Sequence, residues 1–466
     1  MMTAKPRVAT LALLLGSLSG WLPPKVHAQF EGIDKHKLTV KAYVDYGHVV
    51  NGYNYYDPDQ KYDISWLPLN RLNVSVTQDV AIGRFDVSAG LSGLIWWPYG
   101  LGKDADLTEK VMQVKPMVPV ARARWQFGDP ASTAGSVMLG TFNYKYNPDA
   151  KNLGEYLYRS GTYPGLIWTG EGWLMMNRAG NNSHGLMATI TQFGGSVKHN
   201  FSLLMETVTY PTGDFSPGYD VSLTSKWLDV GAGGVFYRYL PLRPSLLEAK
   251  DAENTYATIH GTNSAGVDTV ATGRLSEIQN TVANPTETDT LDHWTVQGIK
   301  LMARAALNLG SLLPENIRGP EDLRIFAEIA LLGVKNYPLY YEKRSERIPV
   351  MFGITLPTAK LLDVFTIQGE YYGSPYSDGL KYISESRPIP QTRSTPSGQT
   401  PPTHGDDLKW SIYGKKTINT LCNIYAQAAS DQFRLTDGKY NPSTIPLTTS
   451  WKHDWYYVLR LEFNLR

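Results

Sequence analysis

Polar and apolar residues alternate with a period of two along most of this chain. That period belongs to strands, because successive side chains of a strand point to opposite faces. The last segment shows it most plainly. Trp455, Tyr457, Leu459, Leu461, Phe463 and Leu465 fall on one face, and Asp454, Tyr456, Arg460, Glu462 and Asn464 on the other. Near the start, Leu38, Val40, Ala42, Val44 and Tyr46 oppose Lys37, Thr39, Lys41, Tyr43 and Asp45. Leu72, Val74 and Val76 oppose Arg71, Asn73, Ser75 and Thr77, and Phe85, Val87, Ala89, Leu91, Ile95 and Trp97 oppose Arg84, Asp86, Ser88 and Ser92. Ile299, Leu301, Ala303, Ala305 and Leu307 oppose Lys300, Arg304 and Asn308. Leu323, Ile325, Ala327 and Ile329 oppose Arg324 and Glu328, and Phe365, Ile367 and Tyr371 oppose Thr366, Gln368 and Glu370. The stretch 113–126 carries Pro116 and Pro119, which cannot donate to a ladder, so a strand with a bulge is expected there.

These segments predict about 16 strands, centred near residues 42, 75, 90, 119, 140, 187, 205, 225, 236, 301, 327, 351, 367, 412, 425 and 459. Their connections alternate in length. Short ones fall at 81–83, 128–135, 193–199, 229–234, 357–360 and 416–419, with a longer turn at 311–321. Long ones fall at 48–68, 98–112, 147–182, 211–218, 241–292, 333–347, 373–407 and 431–453, and 244–256 has room for a short helix. A soluble sandwich predicts no such alternation. A transmembrane antiparallel β-barrel does, with short turns on the periplasmic side and long loops outside. The two alternating end strands, 38–46 and 455–465, are the natural partners for closing it.

The N-terminus adds an export signal. Lys5 and Arg7 precede a short apolar stretch, Val8 to Leu18, and Val26-His27-Ala28 offers small or apolar residues at a cleavage site. A cleaved signal over 1–28 is expected, with one barrel domain over 29–466 in a bacterial outer membrane and in contact with its lipid. No later window has the continuous apolar length of a membrane helix, since Ile299 to Leu309 is broken by Lys300 and Arg304. The single cysteine, Cys422, excludes an internal disulfide and a cysteine-built metal site. A net charge of +1 offers no basic signature for nucleic acid. The 29 tyrosines and 12 tryptophans suit aromatic girdles.

A barrel of about 16 strands leaves an aqueous channel. The residues expected to line it are Lys41, Arg71, Arg84, Asp86, Lys300, Arg304, Arg324, Glu328, Glu370 and Arg460. Charged, hydroxyl and amide groups there imply water and small polar solutes or ions; no apolar path for a lipid is legible. Few residues separate the expected cleavage site from Leu38, too few for a plug domain. The third long connection, 147–182, is the candidate constriction. It contains Asp149, Lys151, Glu155, Arg159, Glu171 and Arg178 with several aromatics, the mixture a loop folding into a polar lumen requires. An ordinary surface loop is the alternative.

In overall plan the chain resembles the general porins: a signal peptide, about 16 alternating strands, a long third loop and an aromatic terminal strand. The resemblance is architectural and rests on no local motif. It implies a third loop that narrows the pore, facing basic wall residues, here Arg71, Arg84, Lys300, Arg304 and Arg324. It also implies recognition of the C-terminal strand by the barrel-assembly machinery, with Tyr457 and Phe463 keeping the alternate spacing of that signal, and a homotrimer, although no residue marks a trimer face.

Enzyme chemistry is not indicated. No glycine-rich phosphate loop, His-Glu-x-x-His or Gly-x-Ser-x-Gly occurs, and no cofactor or metal is expected. A rim hydrolase would have to use acid–histidine neighbours such as Asp45 with His48, Asp292 with His293, or Asp454 with His453. A glycan-binding, uptake or adhesion barrel would use tyrosine-rich loops such as 52–57 and 337–341, which an aromatic belt also explains.

Overall fold

A computed structural model of the chain describes residues 35–51, 70–97, 113–129, 132–142, 144, 146–151, 183–205, 213–246, 255–280, 282–293, 297–331, 333–334, 343–371, 373, 408–429 and 455–465. The expected signal over 1–28 lies outside them. The strands are β1 (Lys35–Asn51), β2 (Asn70–Ile82), β3 (Phe85–Trp97), β4 (Gln113–Gly128), β5 (Thr133–Phe142), β6 (Ser183–Gln192), β7 (Val197–Met205), β8 (Phe215–Thr224), β9 (Leu228–Tyr237) and β10 (Thr255–Thr262). They continue with β11 (Asp268–Arg274), β12 (Asn284–His293), β13 (Gly298–Asn308), β14 (Arg324–Leu331), β15 (Val350–Thr355), β16 (Val364–Tyr371), β17 (Leu408–Thr417), β18 (Cys422–Ala429) and β19 (Trp455–Asn464).

Sixteen of them close into an antiparallel barrel in which each strand pairs with its sequence neighbour, β9 with β13, and β1 with β19. Every expected strand is present, although 225 falls just beyond the end of β8 and β8 begins inside the expected loop 211–218. The anticipated irregularity in β4 is a register shift between Gly90 and Ser92 opposite Met117 to Val120. Turns at one end are short, such as Gly83-Arg84 between β2 and β3, and the longest of them spans 309–323. We call this the turn end and the opposite one the loop end.

The barrel is polar inside and apolar outside. Among its exposed side chains are Val76, Phe85, Val87, Leu91, Leu139, Leu301, Ile325, Phe352, Leu459 and Leu461. Asn73, Ser88, Asn200, Asp220, Glu328, Gln368, Gln427 and Glu462 are buried on the inner face. This inverts the order of a soluble protein, and it is the distribution that a lipid surround selects. Aromatics band the two ends of the outer face. Phe85, Trp125 and Phe127 stack near the turn end, and Trp410 meets Trp455 near the loop end.

Closure depends on β1 and β19. Their register sets Val44 against Leu461 on the outer face and Asp45 against Arg460 on the inner. Arg460 Nε donates to Asp45 Oδ1 at 2.7 Å and Nη2 to Oδ2 at 3.0 Å, with the guanidinium 4.0 Å from the centre of the Tyr43 ring. A two-pronged pair of this kind is directional as well as strong. Asp45 is therefore held by Arg460, against its reading as half of a hydrolytic Asp45–His48 pair.

The expected long loop 241–292 contains structure that alternation did not signal. Strands β11, β10 and β12 form a separate three-stranded sheet with a one-turn helix, α1 (Leu275–Ile278). Residues 244–246 make a single helical turn. The sheet buries Ala257, Ile259 and Val282 and is otherwise dominated by threonine, glycine and acidic residues.

Breaking one partner of a buried ion pair strands the other charge, at a cost of about 3–5 kcal/mol, whereas removing both costs less. We expect Asp45→Leu alone to lower the urea midpoint of the barrel refolded in detergent, and Asp45→Leu with Arg460→Leu to restore part of the loss. Equal losses in the single and double variants would contradict this role for the pair.

Candidate functional site

The lumen holds a segment of chain. After β5, residues 144 and 146–151 leave the loop end and run down the inner wall. Tyr144 Oη donates to Asp220 Oδ2 on β8 at 2.6 Å. Tyr146 presents its ring to Arg304 on β13, 5.6 Å from the guanidinium carbon. Asn147 Nδ2 donates to Glu328 Oε2 on β14 at 2.8 Å, while its Oδ1 accepts the Asp149 amide at 3.0 Å. Asp149 meets Arg324, the first residue of β14, through Nε at 2.8 Å and Nη2 at 3.0 Å. The Lys151 amide donates to Gln368 Oε1 on β16 at 3.1 Å, and Gln368 Nε2 donates back to the Lys151 carbonyl. Finally, Lys151 Nζ lies 2.9 Å from Glu321 in the 309–323 turn. The segment has thus crossed from β5 to β16 and descended to the turn end.

The wall beneath is shaped to receive it. Arg304 is fixed by Asp229 at 2.9 Å and lies across Gly231, where a Cβ would stand 3.1 Å from its Nε. The Phe326 ring lies flat over Gly353, where a Cβ would stand 2.3 Å from it, so only glycine fits. Between the polar anchors the contact is apolar. Phe142 and Tyr146 pack with Met187, Leu204, Val235, Met302 and Ala330, with Met138 and Tyr144 against them. Ala150 packs with Ala306, Phe326 and Met351. Unbranched, polarizable methionines fill irregular gaps well, and four of them line this wall. The expectation of a wholly polar lumen is therefore corrected: one wall carries a methionine-rich apolar stripe, covered by the segment.

Burial pushes the Tyr146 phenol above its usual range, with Glu328 adding to the shift, so it stays neutral. Burial also raises the Asp149 carboxyl, against the opposing charges of Arg324 and Lys151.

The residues expected to line the pore divide into groups. Lys41, Asp86, Lys300, Arg304, Arg324, Glu328, Glu370 and Arg460 occupy inner-face positions of their strands. The register sets Arg71 opposite Asp45. Arg84 does not join them. It sits in the two-residue turn after β2, exposed, with its carbonyl accepting the Gln126 amide at 2.8 Å. Alternation could not find this break, because a tight turn continues the period by one residue. The picture of basic wall residues facing the third loop from across the pore is also corrected. Arg304 and Arg324 lie under the docked segment and bind it. Lys300 is buried on that same β13 wall.

Of the expected constriction residues, Asp149 and Lys151 are inside the lumen, while Glu155, Arg159, Glu171 and Arg178 lie outside the described residues. So do residues 52–57 and 337–341, on which the glycan reading rested. Sequence reasoning missed Tyr144, Tyr146, Asn147 and Gln368 as contacts. The only available signal was the run of aromatic and turn-forming residues directly after β5.

Because the docked Asp149 binds its proton more tightly than a solvated carboxylate, docking is favoured as pH falls toward the ordinary carboxylate value of about 4 and weakens as pH rises through the raised value. Conductance recorded across that window should fall on acidification if the segment occludes, and Asp149→Asn should flatten the dependence. An unchanged profile in that variant would remove Asp149 as its source.

No protein-family model matches this chain, and no curated protein does. Solved structures do. The chain is similar to OprB of Pseudomonas putida in its high-pH structure, with 8% identity over 92% of this chain and 93% of that one and a TM-score of 0.46. It is also similar to OmpF of Salmonella typhi in complex with daunomycin, with 10% identity, 93% and 98% coverage and a TM-score of 0.44. A third similar structure is an anion-selective porin from Comamonas acidovorans, with 11% identity, 92% and 99% coverage and a TM-score of 0.40.

Proposed function

We propose that the protein is a porin-like channel of a bacterial outer membrane, through which small polar solutes or ions diffuse passively. The observation that carries this reading is the inverted distribution of side chains in a closed barrel of sixteen strands. Circumference scales with strand number, and barrels of this size leave an interior wider than their side chains fill. A polar inner face keeps that interior wet.

The segment 144–151 is supporting evidence of a second kind. It lies along one wall, tied to β8, β13, β14 and β16, and so narrows the passage from one side. Narrowing by a loop anchored in the lumen fits a sieve for small solutes. Within this reading, residues 1–28 are an export signal, the short turns face the periplasm, the long loops face outward, and the C-terminal strand β19 is the segment the assembly machinery receives. A homotrimer belongs to the same proposal.

Refolded protein in a planar bilayer should give stepwise conductance increments, and liposomes containing it should swell in small sugars. A barrel that is correctly folded and electrically silent would overturn the channel. Saturable glycan binding by such a silent barrel would favour the receptor alternative.

A further inference from the structure

Charge on the inner wall is sorted by burial. The carboxylates there are largely covered: Asp45, Asp220, Asp229, Glu328, Glu370 and Glu462 are all buried. Each has a neighbouring group to hold it. Asp45 binds Arg460 and Asp229 binds Arg304. Asp220 accepts from Tyr144 and Asn200, and Glu328 from Asn147. Glu462 accepts from Asn423 and Tyr425. The cations divide: Lys300, Arg304 and Arg460 are buried in the wall, while others face the lumen. Lys41, Arg122, Arg124, Lys198, Arg324 and Lys415 on the inner face all remain exposed or half-exposed.

Their placement is annular. They sit on β1, β4, β7, β14 and β17, which are strands 1, 4, 7, 11 and 14 around the sixteen of the barrel. All lie toward the turn end. Lys198 is the second residue of β7, Arg324 is the first of β14, and Lys415 stands three residues before the turn that follows β17. Two of the six are matched by carboxylates, Arg124 by Asp86 at 2.7 Å and Arg324 by Asp149. The other four stand directly opposite no carboxylate, with Asp220 diagonal to Lys198 and Asp363 beside Lys415. Lys41 stands opposite Ser75 and Asn464, Arg122 opposite Ser88 and Gly140, Lys198 opposite Thr191 and Ser222, and Lys415 opposite Val364 and Tyr425. The acids not fully covered near this end have cations beside them: Asp79 stands opposite Lys37, Asp86 pairs with Arg124, Glu321 with Lys151 and Asp363 with Lys416.

We infer that the turn end of the lumen carries a basic ring, built on Lys41, Arg122, Lys198 and Lys415, that selects anionic solutes. This rests on the channel reading above and names its solute class. A ring of lysine and arginine around a narrow aqueous passage raises the local concentration of anions and repels cations. Asp45 and Asp229 do not oppose that field, because Arg460 and Arg304 neutralise them, and Asp220, Glu328 and Glu462 lie covered from the water column beneath amide and phenol donors. The solutes favoured are small anions such as chloride, inorganic phosphate and short carboxylates. The segment 144–151 contributes by withdrawing Asp149 into its pair with Arg324.

The test is the zero-current potential of the full chain in a planar bilayer under a potassium chloride gradient. The wild type should prefer chloride by roughly threefold or more at about 0.1 M salt, and the preference should shrink near 1 M, where the Debye length falls to about 3 Å. Lys41→Gln, Arg122→Gln, Lys198→Gln and Lys415→Gln together should abolish it without abolishing conductance. Lys198→Gln alone is the milder variant, if the fourfold change impairs folding, and should reduce the preference measurably. Potassium preference, or none, in a conducting wild type would overturn the ring while leaving the channel standing. Chloride preference unchanged in a conducting fourfold variant would overturn it equally. A folded barrel without conductance would defeat both readings.

Discussion

Everything in this molecule depends on the requirement that no backbone hydrogen-bonding group be left unpaired in lipid. A sheet with two edges fails that requirement, and each unpaired group costs several kcal/mol in hydrocarbon. Pairing β1 with β19 removes the edges, and the Asp45–Arg460 pair marks the register at which they meet. A slip of one residue would turn Arg460 and Glu462 toward lipid and Leu459 and Leu461 toward water. The ion pair and the alternation therefore specify the same register twice, once by charge and once by hydrophobicity. Closure also explains the inverted distribution of side chains, because a closed wall has a lipid side and a water side and nothing else.

That inversion is why so much of the fold was legible in the sequence. A two-sided wall must alternate, so Leu459, Leu461 and Phe463 against Arg460 and Glu462 carry the assignment without further help. The three-stranded sheet β10–β12 was not legible for the converse reason. It is no part of the closed wall and buries little beyond Ala257, Ile259 and Val282. Its threonines and acids stay wet on either face, so no period of two is imposed. Arg84 shows another limit: one residue of turn preserves the parity of the pattern while leaving the wall.

The lumen was legible by face and not by depth or company. Parity placed Arg304, Arg324 and Glu328 inside, but parity cannot say which of them a loop will cover. The docked segment reaches partners up to 217 positions away in sequence, such as Gln368. Its polar anchors are ordinary residue types whose meaning arises only when β8, β13, β14 and β16 stand side by side. The apolar stripe was hidden for a related reason. Met138, Met187, Met302 and Met351 lie on the inner face and break the alternation only mildly. A methionine among polar neighbours reads as noise until the wall is assembled.

That stripe makes the two halves of the lumen chemically unequal. One side of the inner wall carries methionines and polar anchors beneath a docked segment of chain. That segment is a small structure held by a few discrete anchors, and the barrel beneath it does not depend on them for closure. Loss of a single anchor would uncover a surface suited to molecules with both a charged and an oily part. The lumen can therefore change by substitutions in one short segment, while the closed wall around it stays as it is.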